Sequence, residues 1–82
     1  MKTNYEVTHE YITLGQLLKE LSVIQSGGMA KWYLQEQAVL VDGQLEQRRG
    51  RKLYPGMMIE IPDEGTFFMV APKAPGDETH EA

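Results

Sequence analysis

The stretch Val39-Leu40-Val41-Asp42-Gly43-Gln44-Leu45-Glu46-Gln47-Arg48-Arg49-Gly50-Arg51-Lys52-Leu53 decides how this chain is read. With Ala38 before it, Val39-Leu40-Val41 has the apolar, β-branched composition of a strand. Asp42-Gly43 is a tight-hairpin signal, because both central residues of a type I′ turn need φ > 0. Glycine reaches that region without steric cost and Asp tolerates it. The return strand starts at Gln44-Leu45-Glu46. Arg48-Arg49-Gly50-Arg51-Lys52 follows, with four cations in five residues. A hairpin therefore leads directly into a concentrated basic segment.

Upstream, Thr13-Leu14-Gly15-Gln16 has the form of a capping box, a hydroxyl at the cap with Gln three residues on. Ile12 and Leu17 stand where a hydrophobic staple would pack. Leu14, Leu17, Leu18 and Leu21 then recur on one face, so the spacing predicts a helix over 14–21. Ser26-Gly27-Gly28 interrupts the chain and opens a second helix over about 28–37. Ala30, Tyr33 and Leu34 share its apolar face, with Met29 beside it, while Lys31 and Gln35 point elsewhere. Trp32 falls off that face and is open to two readings, partial burial against the strands or stacking on a base. Residues 5–12, aromatic and β-branched, read as a first strand.

Downstream, Tyr54-Pro55-Gly56-Met57 suits a type II turn, with Pro at its second position and Gly at its third. Met57 to Ile61 reads as a strand ended by Pro62, Asp63-Glu64-Gly65 as a turn, and Thr66 to Val70 as a last strand. From Ala71 onward, prolines, glycine and acids leave little to bury, and the expectation is a disordered acidic tail over 71–82. The fold class expected is α+β: two short helices followed by β-hairpins, in one small domain over residues 1–70.

Composition narrows the function. A chain of 82 residues supports one modest core, and a deep catalytic cleft beside it is hard to build. No cysteine is present, which excludes a disulfide framework and thiolate chemistry. The polar start of the chain lacks an apolar signal region, and apolar runs such as Ala38 to Val41 are far short of the roughly 20 residues that span a bilayer. A cytoplasmic monomer without membrane attachment is expected. The only histidines are His9 and His80, and neither has the spacing of a zinc-protease helix. The glycines match neither the phosphate loop of nucleotidases nor the dinucleotide fingerprint. The expectation is a non-enzyme with no cofactor and no metal.

The net charge of −4 disfavours nucleic acid until its distribution is considered. Residues 31–52 carry Lys31, Arg48, Arg49, Arg51 and Lys52 against Glu36, Asp42 and Glu46, a net +2. Residues 53–82 carry Lys73 against Glu60, Asp63, Glu64, Asp77, Glu78 and Glu81, a net −5. The signs are segregated, so a basic surface can survive the acidic total. Two motifs could serve it. Ser26-Gly27-Gly28-Met29-Ala30-Lys31 places a glycine turn at a helix start, where free backbone N–H groups favour a phosphate oxygen. The plain alternative is a helix start built of small residues. Arg48 to Lys52 offers guanidinium groups that bind phosphate bidentately and stack on bases. On strands these cations alternate between faces unless Gly50 marks a bulge. The plain alternative is a charge run kept for solubility.

Together these pieces resemble a known module. The order helix, S-G-G-x-A-K helix, V-x-V-D-G hairpin, R-R-x-R-K-L, turn and strand is similar to the S-four domain, or alpha-L motif. The likeness is greatest to the short stand-alone members of the YaaA/YbcJ type, and it runs from about Ile12 to Pro62. The resemblance implies a surface, made by two helices and the following hairpin, that grips structured RNA, ribosomal or tRNA-like. It places RNA contacts on Gln25, Ser26, Gly27, Gly28, Lys31, Arg48, Arg49, Arg51 and Lys52. The chain departs from the wider family in three places. Thr13 stands where many members have arginine, Ser26-Gly27 where many have Ser-Arg, and Met57 where an aspartate is usual. RNA contact is thereby concentrated on Lys31 and residues 48–52. A rival expectation is a protein-interaction adaptor linked to replication or ribosome assembly, using the acidic C-terminal half and the Phe67-Phe68 strand.

Overall fold

The computed structural model describes residues 2–72. The elements run β1 (Lys2–Glu6), β2 (Ile12–Thr13), α1 (Leu14–Glu20), α2 (Met29–Glu36), β3 (Leu40–Val41), β4 (Gln44–Leu45), β5 (Lys52–Leu53), β6 (Met58–Ile61) and β7 (Gly65–Val70). Five strands form a mixed sheet in the order β1-β7-β6-β3-β4, and β2 pairs with β5 in a separate two-stranded ribbon. This is the α+β architecture expected from the sequence. Most of the tail expected over 71–82 lies outside the described residues.

The helices form where local chemistry directs them. The Thr13 hydroxyl accepts the Gln16 N–H at 3.2 Å, and Gln16 Oε1 accepts the Thr13 N–H at 3.0 Å, completing the capping box. Leu14, Leu17 and Leu18 are fully buried, and Ala30 and Leu34 cover them from α2. Val41, Ile59, Ile61, Phe67 and Met69 supply the sheet's side of the same core, joined by Val39 just before β3 and Leu53 from the ribbon. Strand alternation shows in β6, where Ile59 and Ile61 point in.

The turns bear out their sequence signals. Asp42 and Gly43 take φ of 51° and 83°, as a type I′ turn requires. Asp42 Oδ1 also accepts the Met58 N–H at 2.9 Å, which ties the hairpin to β6. Gly56 has φ of 100° and the Met57 N–H donates to the Tyr54 carbonyl at 3.1 Å, a type II turn.

Three expectations are corrected. The single strand over 5–12 is two elements, because residues 2–6 pair in parallel with β7 while Ile12 and Thr13 pair with Leu53 and Lys52. Local composition does not encode that long-range pairing. Of the Phe67-Phe68 pair, Phe67 is not available as a contact surface, because it belongs to the core, while Phe68 on the other face of β7 is half-buried. Trp32 does not pack on the strands but stands 65% exposed on α2.

Candidate nucleic-acid interface

The site is built on the N-terminus of α1. The first N–H groups of a helix have no partner within it. Here the Leu14 N–H donates to the Arg51 carbonyl and the Gly15 N–H to the Arg49 carbonyl, both at 2.8 Å. The basic segment is thus a loop seated on the helix end, not a continuation of the hairpin strand. A turn closed by the Arg51 N–H on the Arg48 carbonyl at 3.2 Å shapes it. Gly50 lies in this turn, outside any strand, so it marks no bulge; the loop itself re-aims the cations. The seat explains Gly15. A Cβ there would lie 3.3 Å from the Arg49 carbonyl oxygen and 3.4 Å from Arg49 Cβ, and α1 could not approach as closely.

Glu46 organises the loop from below. Its carboxylate is buried and accepts four N–H groups: Arg48 N at 3.0 Å, Arg48 Nε at 2.9 Å, Arg48 Nη2 at 3.1 Å and Arg51 Nη1 at 3.0 Å. The Arg48 side-chain bond, above all, holds the Glu46 carboxyl down at about 2, against the opposing effect of burial. The same pairing pushes the Arg48 guanidinium up. Arg48 therefore spends its bidentate edge on Glu46, and that edge is not free for a phosphate. Its Nη1, and the Nε and Nη2 of Arg51, have no partner among the described residues.

The two motifs singled out in the sequence meet. Arg49 Nη1 donates to the Gly27 carbonyl at 3.3 Å, joining the basic loop to the glycine turn 22 residues away. Gln25, Ser26, Gly27 and Gly28 are exposed around that contact, and Lys31 is exposed on the first turn of α2. Gly28 caps α2 in helical backbone with no side-chain cap. Two of the N–H groups expected to be free are used inside the turn, Met29 on the Ser26 carbonyl at 3.1 Å and Ala30 on the Gly27 carbonyl at 3.2 Å. A phosphate there would meet Gly27, Gly28 and Lys31 rather than a row of open amides.

Lys52 is exposed at the start of β5, with Nζ 5.0 Å from the Tyr11 ring centroid, a cation–π contact. Tyr11 and Tyr54 rings lie 5.7 Å apart, tilted by 52°. Sequence reading missed Gly15, Glu46, Tyr11 and Tyr54. Glu46 had a legible signal, since it precedes Arg48 by two residues and shares its side of an extended chain.

Glu60, Asp63 and Glu64 line a shallow pocket at the β6–β7 turn. Burial first, then the Glu64 and Asp63 carboxylates of that turn, push the Tyr33 phenol up. No helix among the described residues is long and apolar enough to cross a membrane. No group of three metal-ligating side chains comes together among them either.

Two comparisons bear on this geometry. A family model described as "S4 domain" matches residues 5–69. Over 70 residues the chain is 53% identical to a protein of Bacillus subtilis (strain 168) described as "Probable ribosome maturation protein RlbA". That match covers 85% of this chain and 99% of the relative.

Proposed function

The chain belongs to the S4 domain family, and from that premise we propose that it is a non-catalytic module that binds structured RNA through phosphate contacts. The observation that carries this reading is the bond from Arg49 to the Gly27 carbonyl. It joins the surface of the glycine turn, which leads to Lys31, to that of the loop carrying Arg48, Arg49, Arg51 and Lys52. Such a surface suits recognition by shape and backbone more than by base sequence. Phosphate is met chiefly by Lys31, Arg49 and Lys52, which are exposed and outside the Glu46 cluster. Arg48 and Arg51 add their remaining donors from fixed positions.

The relative's name speaks of ribosome maturation. By that likeness the RNA is ribosomal and the working place is the cytoplasm; that the protein acts as a monomer is part of the same proposal and does not come from the relative's name. Crosslinking the protein in cells and sequencing the attached nucleic acid tests this. Enrichment of ribosomal RNA is expected. A library with no RNA above background, from cells that express the folded protein, would sink the reading.

A further inference from the structure

We propose that the groove beside the basic loop is a pocket for one unstacked nucleotide, with Tyr54 as the platform on which its base stacks. This rests on the RNA-binding reading and adds to it a distinct site. Arg48, Gly50, Arg51, Lys52, Tyr54 and Met57 line an open groove of about 450 Å³. Its polar members are all cationic, and its apolar members are an aromatic ring and a thioether. That pairing fits a flat, apolar base attached to a phosphate. It does not fit a cation or an apolar peptide.

Tyr54 is held in place. Its residue is 38% exposed, and Tyr11, which does not line the groove, packs against its ring at 5.7 Å. Lys52 Nζ stands 5.0 Å from the Tyr11 ring centroid. The backbone beneath is fixed by the type II turn. The Gly56 N–H donates to the Met69 carbonyl at 2.8 Å and the Met69 N–H to the Met57 carbonyl at 2.9 Å, anchoring the turn to β7. A rigid ring costs little entropy when a base stacks on it. Arg48 and Arg51 line the same groove and each keeps donors that Glu46 does not engage, which in this proposal meet the nucleotide's own phosphate. Gly50 lines the groove, and nothing lies within 4 Å of where its Cβ would be, so a side chain can be added there without a clash.

The test uses two RNA hairpins with the same stem, one fully paired and one with a single bulged 2-aminopurine. The full-length protein should bind the bulged hairpin about 5- to 30-fold more tightly, with a fall in 2-aminopurine fluorescence as the base stacks. Tyr54→Leu removes the ring, and Gly50→Leu fills the groove at an exposed, unstrained position. Each should abolish the preference and the fluorescence change while binding of the paired hairpin persists. Tyr54→Phe, which keeps the ring, should keep both. Equal binding of the two hairpins by the wild-type protein would overturn the pocket and leave the RNA-binding reading standing. So would a preference that survives both leucine variants, or one removed by Trp32→Leu alone. Failure to bind either hairpin would overturn both readings together.

Discussion

Glu46→Gln is the substitution whose consequences the structure defines best. The carboxylate accepts four N–H groups, three from Arg48 and one from Arg51. An amide keeps one acceptor oxygen. Turned toward Arg48 N and Nε, it presents its NH₂ to Arg48 Nη2 and Arg51 Nη1, donor against donor. Hydrogen bonds to charged groups contribute about 1.5–3 kcal/mol each where water is excluded. The side chain of Arg48 is 75% exposed and can rehydrate, so the loss is smaller, about 1–3 kcal/mol in total. For a domain of this size that is a fall in Tm of about 4–24 °C. The pH dependence has a definite sign. Folded Glu46 titrates at about 2 and its ordinary value is 4.5, so on acidification the unfolded chain takes up the proton first. The wild-type advantage is complete above pH 4.5 and is lost as pH falls toward 2. Thermal and urea unfolding followed by far-UV circular dichroism at neutral and acid pH measures both effects. A gap below about 0.5 kcal/mol at pH 7 would refute the reasoning, because it would make Glu46 an ordinary surface acid. A gap that stays constant into acid would refute the linkage.

Two further substitutions test how the site is carried. Gly15→Val would force a branched side chain against the Arg49 carbonyl and Ala30, lift the basic loop off α1 and cost about 1–3 kcal/mol; denaturant midpoints and faster amide exchange at Leu14 and Gly15 should report it. Asp42→Ala should cost about 1–2 kcal/mol, since it removes the acceptor of the Met58 N–H and puts alanine at φ of 51°. Its effect on RNA affinity, measured at a temperature where the variant is fully folded, should be small.

What was legible in the sequence was local. The Thr13 capping box, the leucine face of α1, the Asp42-Gly43 turn and the Pro55-Gly56 turn all depend on residues within four positions of one another, and each formed as read. What was hidden depends on distance along the chain. Nothing in residues 2–6 announces a parallel pairing with β7 more than sixty residues on. Gly15 looked like a neutral member of a capping box, whereas its missing Cβ is what lets the basic loop seat on the helix. Arg48 to Lys52 were legible as charge but not as geometry. Glu46 divides them into a fixed pair, Arg48 and Arg51, and two freer cations, Arg49 and Lys52, a distinction visible only once the carboxylate is placed.

The central claim is that exposed cations on this surface hold RNA by its phosphates, and the salt dependence of binding tests it most directly. With about four phosphates neutralised, log affinity should fall against log salt with a slope of roughly −3 to −4. The combined Lys31→Ala, Arg49→Ala and Lys52→Ala variant leaves the Glu46 cluster and the core intact. It should give up no more than about 1 kcal/mol of stability with the exposed Arg49–Gly27 bond, yet lose most of that slope, by roughly 0.7–0.9 for each phosphate contact removed. An affinity for ribosomal RNA that does not change with salt, or one that this variant retains in full, would contradict the account.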